Sequence, residues 1–299
     1  MQRLASGLHT AVIAHPIGGD LWLLPEAFNA KGAPAWPNGL SLIFLKTYRR
    51  TTTCPMIFFR LFLDPTQTYS CAYFKEDDYT LEQAQIAKID LALGKLGLQP
   101  GMTLLDVGCG WGGATMMRAI EKYDVNVIGL TLSKNQRDHV EQVFAESGSP
   151  RSKRIELMGW EEFDEPVDRI VSIGAFEHFG FDRYDDFFNL AYRVLPDDGV
   201  MLLHTITSLT FDQMVEKKIP LTFEAARFAK FILTEIFPGG RLPTPEKVDE
   251  HSAKAGFTLT RTQSLQPHYA RTLDCWAAAL EANRDKAIEV QSEESTTAT

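Results

Sequence analysis

The sequence predicts an α/β fold in which a parallel sheet carries helices on both faces. Short apolar runs alternate with longer stretches of helical composition from about residue 80 onward. The glycine-rich turn G-C-G-W-G-G (108–113) follows one of these runs and precedes a helical stretch. The chain has 299 residues, which is enough for one large α/β domain.

The elements of this fold can be assigned in chain order. Thr80 and Gln83 form a capping-box pattern, which predicts a helix that ends near the glycines at 94 and 97. Strands are predicted at 103–107, 125–130, 154–158, 168–173, 200–206 and 256–265. Helices are predicted at 113–123, 133–147, 183–194 and 270–288. Ser133 and Gln136 provide a second capping box at the start of one of them.

Residues 207–252 interrupt the alternation after the fifth strand. They are partly helical in composition and contain the turn F-P-G-G at 237–240. An insertion at this point lies above the carboxyl ends of the strands, so the segment is predicted to form a lid. The final residues, S-E-E-S-T-T-A-T, are polar and are predicted to be frayed.

Composition excludes several classes of protein. The formal net charge of −9 and the pI near 5.3 argue against a nucleic-acid-binding protein, which needs a basic surface. The four cysteines form no C-x-x-C pair, so neither disulfides nor a structural zinc site is expected. No run of 18 apolar residues and no signal peptide is evident. We therefore expect a cytoplasmic protein.

The glycine turn indicates a nucleotide-like ligand. Asp106 precedes Gly108, Gly110 and Gly112, which recur at alternate positions where the backbone must bend and let a ligand approach. Dehydrogenases of this fold usually carry an acid after the second strand, but here that strand ends I-G-L-T-L-S (128–133). The pattern favours S-adenosylmethionine over a nicotinamide dinucleotide.

Eight ordered motifs resemble those of the mycolic acid cyclopropane synthases, which belong to the cyclopropane-fatty-acid synthase group of S-adenosylmethionine-dependent methyltransferases. They are TYSCAYF (68–74), LLDVGCGWG (104–112), GLTLSKNQ (129–136), GWEEF (159–163), IGAFEHFG (173–180), LLHTIT (202–207), EIFPGG (235–240) and SLQPHYARTLDCW (264–276). The resemblance covers residues 58–294 and implies one Rossmann-like methyltransferase domain over that range, with the 207–252 lid after its fifth strand.

The resemblance also implies a set of cofactor-binding residues. They are Tyr69, Ser70, Leu104, Asp106, Gly108, Gly110, Gly112, Thr131, Leu132, Gln136, Trp160 and Glu161. Gln136, at a helix start, is suited to the ribose contact that a dehydrogenase assigns to an acid. Trp160 is suited to flank the adenine.

The family methylates an alkene in a long acyl chain, and loss of a proton from the new methyl group closes a cyclopropane ring through a carbocation. The resemblance implies that a bound bicarbonate is the base and that Cys71, Glu177, His204 and Tyr269 hold it. Glu177 and Tyr269 follow predicted strands and His204 is at the end of one, so they should meet at the carboxyl edge of the sheet. Glu177 and His178 lack the further ligands of a metal site, so no metal is expected. Tyr69 and Tyr269 could stabilise a nearby cation.

Alternatives remain at this stage. The resemblance implies glycine at position 174 in cyclopropanating members and glutamate in the hydroxy- and methoxy-mycolate branch, so Gly174 favours ring closure over a hydroxylated or methyl-branched product. A methyltransferase for small molecules is a further option. The implied partners are a long unsaturated acyl chain on an acyl carrier protein and, at most, peripheral contact with a membrane. Arg151, Lys153 and Arg154 could bind an acidic carrier or form a solvated loop.

The chain departs from the family at three places. The stretch G-W-G-G-A-T-M-M-R-A (110–119) contains one residue more than the family spacing. One permitted choice of codons for residues 47–57 gives the family's entry segment, V-Q-A-H-Y-D-L-S-D-D, in a shifted frame. We therefore expect residues 1–57 to be an out-of-frame leader with no fold.

A similar shift explains the aberrant tail at 295–299, which lacks the family's closing cysteine and last strand. Without that strand, the fifth and sixth strands would have unpaired edges. A frameshifted, inactive copy is therefore a further interpretation.

Overall fold

The computed structural model describes residues 10–15, 56–111, 113–209, 211–216 and 242–297, with the isolated positions 218, 222–223, 226–227 and 230. The strands are β1 (Thr10–His15), β2 (Thr103–Val107), β3 (Asn126–Thr131), β4 (Lys153–Leu157), β5 (Arg169–Ile173), β6 (Val200–His204) and β7 (Thr258–Ser264). The helices are α1 (Met56–Phe59), α2 (Leu81–Leu93), α3 (Ala114–Tyr123), α4 (Lys134–Glu146), α5 (Tyr184–Val194), α6 (Phe211–Glu216), α7 (Pro245–Lys254), α8 (Gln266–Ala282) and α9 (Arg284–Thr297).

The strands form one parallel sheet in the order β4-β3-β2-β5-β6-β1-β7. All six predicted strands are present, and the α/β prediction is confirmed. The central strands are apolar because helices cover both faces; in β2, Leu104 and Leu105 are fully buried. The carboxyl ends of β2, β5 and β6 meet along one edge of the sheet, which is where the candidate site lies.

The leader contributes a strand that the sequence did not predict. β1 lies between β6 and β7, with Thr10 in register with Val200 on one side and Thr258 on the other. The expectation of unpaired edges on β6 and β7 is therefore wrong, because residues 10–15 supply backbone hydrogen bonds to both strands. Leader residues 1–9 and 16–55 lie outside the described residues.

Two apolar clusters pack against opposite faces of the sheet. In one, α5 and the turn after β5 bring aromatic rings together, and Phe176 stacks on Tyr184 with centroids 4.1 Å apart. In the other, α2, α3 and α4 pack on β2 and β3 around side chains such as Leu93 and Met116, both fully buried. Each such buried side chain contributes about 1.5–3 kcal/mol of hydrophobic stabilisation.

The C-terminal region differs from the prediction in two ways. The helix predicted at 270–288 is two helices, α8 and α9, separated at Asn283. The Asn283 amide donates hydrogen bonds to the carbonyl oxygens of Leu61 and Ala279, each at 3.0 Å, and so ends α8. The tail that was predicted to be frayed continues α9 as far as Thr297.

The predicted lid is described only at its two ends. There, α6 and α7 are present, and Thr244 caps α7 by accepting a hydrogen bond from the backbone N–H of Lys247 at 3.3 Å. The turn at 237–240 lies outside the described residues. None of the helices in the described part of the chain has the length and apolar character that a membrane span requires.

Candidate functional site

A pocket opens at the carboxyl ends of β2 and β5. Its lining residues are Phe59, Gln67, Thr68, Tyr69, Ser70, Lys88, Asp106, Gly108, Cys109, Gly110, Trp111, Ala114, Thr115, Gln136, Ile173, Gly174, Ala175 and His178. This list contains six of the predicted cofactor residues, namely Tyr69, Ser70, Asp106, Gly108, Gly110 and Gln136. The pocket therefore joins the glycine turn to the TYSCAYF segment, which is distant in sequence.

The glycine turn forms the floor of this pocket. Gly108 has φ +80° and Gly110 has φ +66°, conformations that favour glycine. A Cβ at Gly108 would lie 2.4 Å from the Cβ of Ala175, whereas a Cβ at Gly110 would meet no atom within 4 Å. The turn is therefore tightly packed against Ala175 at Gly108 and has open space next to Gly110. Gly113 has φ +51° and precedes α3, so the residue extra to the family spacing is accommodated before the helix; Gly112 lies outside the described residues.

Helix α2 holds the segment that forms the opposite wall of the pocket. The Gln85 amide donates to the carbonyl oxygens of Thr68 at 3.2 Å and Ser70 at 2.8 Å. The Lys88 ammonium donates to the Ser70 hydroxyl at 2.8 Å. Both side chains lie on the buried stripe of α2, beside Ala84, Ile89 and Ala92.

Lys88 was not among the predicted site residues. A signal was available, because a glutamine and a lysine interrupt an otherwise apolar helical stripe.

The acid before the glycines is also buried. Asp106 is 3% exposed, and burial raises its pKa to about 7, opposed by the positive charge of Lys88. Burial likewise lowers the pKa of Lys88 to about 8, while Cys71, Asp64 and Asp106 act in the opposite direction. A buried cation and a buried acid thus line the same pocket.

At the β3 end of the pocket, Gln136 is fixed from two sides. Its side-chain oxygen accepts a hydrogen bond from the Thr131 hydroxyl at 2.6 Å, and its backbone N–H donates to the Ser133 side chain at 3.3 Å. The Ser133 side chain therefore caps the helix, but the predicted capping box is incomplete, because the Gln136 side chain accepts from Thr131 and the Ser133 N–H also donates to Thr131. Thr131 and Leu132 do not line the pocket among the described residues; Thr131 acts instead by orienting Gln136.

Three other predicted cofactor residues lie apart from the pocket lining. Leu104 is fully buried in the core. Trp160 packs on Phe187 with ring centroids 5.3 Å apart, and the Arg183 guanidinium lies 4.9 Å from the centre of its ring. Glu161 forms an ion pair with Arg183. Sequence reasoning could not foresee this arrangement, because it depends on how the turn at 181–183 packs.

Beside the pocket lie the four residues predicted to hold a base. Glu177 is in the turn after β5, where its carboxylate accepts hydrogen bonds from the Thr205 hydroxyl at 2.8 Å and the Ile206 N–H at 3.4 Å. Burial raises the pKa of Glu177 to about 7, although these hydrogen bonds lower it. Thr205, which follows β6, is a site residue that sequence reasoning missed.

Cys71 and Tyr269 pack together with Leu265. The Cys71 thiol donates to the carbonyl oxygens of Ala72 at 3.2 Å and Leu265 at 3.6 Å, and burial raises its pKa to about 12. Burial also raises the pKa of the Tyr269 phenol well above its usual range, and the nearby Tyr69, Cys71 and Glu177 add to this effect. Both groups are therefore neutral hydrogen-bond donors at physiological pH.

His204 ends β6 at the same edge of the sheet. Burial lowers its pKa to about 3, and the positive charges of Lys88 and Lys95 contribute to the shift. The imidazole is therefore neutral. The thiol, phenol and imidazole are neutral and the carboxyl group has a near-neutral pKa, so these four residues have the chemistry to hold a small anion and exchange a proton.

Aromatic rings connect the pocket, which Tyr69 lines, with Tyr269, one of the four residues predicted to hold a base. Tyr69 lies 5.2 Å from Trp276 and 5.3 Å from Phe59, and Tyr269 lies 6.4 Å from Trp276, measured between ring centroids. The faces of such rings can stabilise a transient positive charge.

The basic triplet at 151–154 is not a free positive patch. Arg151 donates to the Asp124 carboxylate at 2.6 Å, and Arg154 pairs with Glu156 at 3.2 Å and with Glu165. These pairs compensate the arginine charges locally, but Lys153 and Arg154 belong to strand β4, so the segment is not the predicted solvated loop.

Comparison with known proteins gives a consistent result. The sequence model of the family described as "Mycolic acid cyclopropane synthetase" matches residues 55–298. The chain is 73% identical over 237 residues to cyclopropane mycolic acid synthase 1 of Mycobacterium tuberculosis, covering 79% of this chain and 82% of that protein.

Two solved structures are similar in fold as well as in sequence. The cyclopropane synthase MmaA2 from Mycobacterium tuberculosis has a TM-score of 0.82 at 65% identity, covering 88% of this chain and 90% of that one. Mycolic acid cyclopropane synthase CmaA1, complexed with SAH and CTAB, has a TM-score of 0.80 at 69% identity, covering 84% and 87%.

Proposed function

Because the chain belongs to the mycolic acid cyclopropane synthetase family, we propose that it uses S-adenosylmethionine to convert an alkene of a long meromycolate chain into a cyclopropane ring. As an enzyme of the S-adenosylmethionine-dependent methyltransferase type, it needs a nucleoside pocket beside a dry acyl site. The observation that carries the proposal is that Tyr69, which lines the glycine-turn pocket, lies close enough to Tyr269 to raise its pKa, as Cys71 and Glu177 also do.

The residues of the pocket fit the cofactor. The space next to Gly110 is empty and can hold a ligand, and a side chain at this position would occupy that space. The Gln136 side chain is held in place by Thr131 and can contact a ribose. The SAH complex of CmaA1 supports the same ligand class for this chain. When bound, S-adenosylmethionine supplies an electrophilic methyl group on a sulfonium. The role of the chain is to orient that group and exclude water.

The aromatic region fits a long apolar substrate. Tyr69, Trp276 and Tyr269 line a surface next to the pocket, and the CTAB molecule in the CmaA1 complex is itself a long alkyl chain with a cationic head. Ring faces near an alkene would favour the carbocation that forms when its π electrons take the methyl group.

The four buried residues fit a bicarbonate ion. The Cys71 thiol and the Tyr269 phenol are neutral donors, and Glu177 can itself donate when it is protonated, since its pKa is about 7. Bicarbonate would supply the base that ring closure requires. His204, neutral at physiological pH, would donate or accept a hydrogen bond there without adding charge.

Ring closure is favoured over a hydroxylated product by Gly174. This residue lines the pocket with φ +68°, and a Cβ built there would lie 3.5 Å from the Ser70 Cβ. The position carries no side chain that could bind a water molecule and direct it to the cation.

We place the reaction in the cytoplasm, with the acyl chain delivered on an acyl carrier protein. Cys71, Cys109 and Cys275 are free thiols in the described part of the chain, which suits a reducing compartment.

The proposal is tested by incubating the purified chain with methyl-labelled S-adenosylmethionine and an unsaturated long-chain acyl carrier protein, with and without bicarbonate. Mass spectrometry of the lipid should show a cyclopropane product that depends on bicarbonate. Glu177→Gln should abolish it, whereas Glu141→Gln, at a glutamate that is 57% exposed on α4, should not. Methyl transfer to small nucleophiles alone would support the small-molecule alternative, and cofactor binding without turnover would support an inactive copy.

A further inference from the structure

Lys88 is a buried cation whose hydrogen-bonding capacity is largely unused. Its side chain is on α2, is 1% exposed and lines the pocket. Its ammonium group carries three N–H donors, but among the described residues only the Ser70 hydroxyl accepts from it, at 2.8 Å. No carboxylate of the described chain lies within 4.0 Å of it. Since burying an unpaired charge is costly, the pocket is built for a ligand that completes this site.

The position of Lys88 within the pocket identifies which part of a ligand it faces. In the strand order β3-β2-β5, the β3 and β5 ends lie about 10 Å apart, because neighbouring strands are about 4.8 Å apart. Gln136 is at the β3 end. Ser70 is at the β5 end, where a Cβ built on Gly174 would lie 3.5 Å from the Ser70 Cβ. Lys88, bonded to Ser70, therefore belongs to the β5 end.

The charges at this end match an amino-acid group. On the proposed function, Gln136 receives the ribose, so the methionine portion of the cofactor extends toward β5. That portion carries one carboxylate and one ammonium. Lys88 supplies the cation and Asp106 the acid, and both line the pocket.

We propose that Lys88 binds the carboxylate of the methionine portion of S-adenosylmethionine. The Ser70 hydroxyl holds the Lys88 ammonium in place for this contact. The inference rests on the proposed function, because it needs the nucleoside to lie at Gln136. Lys88 is then a cofactor-binding residue. By holding the methionine portion, it determines the distance between the sulfonium and the aromatic rings of Tyr69, Trp276 and Tyr269.

The test compares two ligands that differ in the amino-acid portion. S-adenosylhomocysteine carries the carboxylate and 5′-methylthioadenosine does not. Both are titrated by calorimetry into the full chain, Lys88→Met and Lys122→Met. The last variant removes a half-exposed lysine of α3 that pairs with Asp90 of α2 at 3.1 Å and does not line the pocket. Lys88→Met should lose roughly 10- to 100-fold in affinity for S-adenosylhomocysteine, as expected for a hydrogen bond between charged groups, and less than about twofold for methylthioadenosine.

The control variant should bind both ligands as the unmodified chain does. Equal losses for both ligands in Lys88→Met would mean that the lysine only supports the fold, and the proposal would be wrong. An unchanged affinity for S-adenosylhomocysteine would also overturn it. If Lys88→Met does not fold, Lys88→Gln is titrated with the same pair of ligands. If the unmodified chain binds neither ligand, the proposed function itself fails, which is a distinguishable result.

Discussion

Replacing Gly108 with alanine separates the structural role of the glycine turn from its role in ligand binding. Gly108 has φ +80°, and the new Cβ would lie 2.4 Å from the Cβ of Ala175, where ordinary contact begins at 3.4 Å. Neither atom is the end of a flexible side chain, so backbone must move by about 1 Å. Gly110→Ala is the matched control, because it shares a positive φ of +66° but meets no atom within 4 Å.

The two variants should differ clearly in stability. A left-handed alanine costs about 1–2 kcal/mol, which both variants share. Overpacking adds about 1–3 kcal/mol at Gly108 alone. Gly108→Ala should therefore lower the free energy of unfolding by about 2–5 kcal/mol and Gly110→Ala by about 1–2 kcal/mol. The displaced Ala175 also precedes the turn that carries Glu177, so activity should fall with stability at Gly108.

Urea unfolding followed by fluorescence gives the stability of each variant, and calorimetric titration with S-adenosylhomocysteine gives its affinity. Gly110→Ala should show the opposite balance, with a small loss of stability and a large loss of affinity, because its methyl group fills ligand space. Equal unfolding midpoints for the two variants would refute the packing argument.

Three further predictions follow from the site. Burial raises the pKa of Glu177 from 4.5 to about 7, so its contribution to stability is full below pH 4.5 and is lost as the pH rises through about 7. Relative to Glu177→Gln, the free energy of unfolding should fall by about 3 kcal/mol between pH 4.5 and 8, which urea titrations would measure. A difference that stays constant with pH would contradict this prediction. Gly174→Glu should place a carboxylate in the pocket and reduce the cyclopropane fraction of the lipid product measured by mass spectrometry, with Gly174→Ala as the control for backbone strain; an unchanged product ratio would count against a role for this position. Because burial raises the pKa of Cys71 to about 12, iodoacetamide at pH 8 should leave this thiol unmodified in the folded protein and alkylate it in urea, as peptide mapping would show; rapid alkylation of the folded form would contradict its burial.

Local patterns predicted the elements of the sheet well because their causes are local. The Thr80 capping box is present with both of its hydrogen bonds, at 3.3 Å and 2.9 Å, and α2 begins one residue later. The predicted strand at 103–107 coincides with β2, since an apolar run before a glycine turn has few other structures available. The convergence of Glu177 and His204 at one edge follows from the same rule.

Features that depend on distant partners could not be predicted in this way. Trp160 and Glu161 contact Phe187 and Arg183 and are not among the residues that line the pocket, so their role in cofactor binding stays a prediction. The polar break that Gln85 and Lys88 make in the apolar stripe of α2 is visible in the sequence, but the contact of Lys88 with Ser70 is not. The pairing of β1 with β6 and β7 could not be predicted from local patterns, because its partners are far away along the chain.

The position of β1 also constrains how the chain reaches its folded state. Thr10 pairs with Val200 and Thr258, which are 190 and 248 residues away along the chain, by subtraction of the residue numbers. Contacts of such long range slow folding, because the intervening chain must lose conformational entropy before the hydrogen bonds of β1 can form. β1 is therefore among the last elements of the sheet to find its partners. Until it does, β6 and β7 offer open edges to other chains, so the yield of native protein should depend on concentration and chaperones more than its final stability suggests.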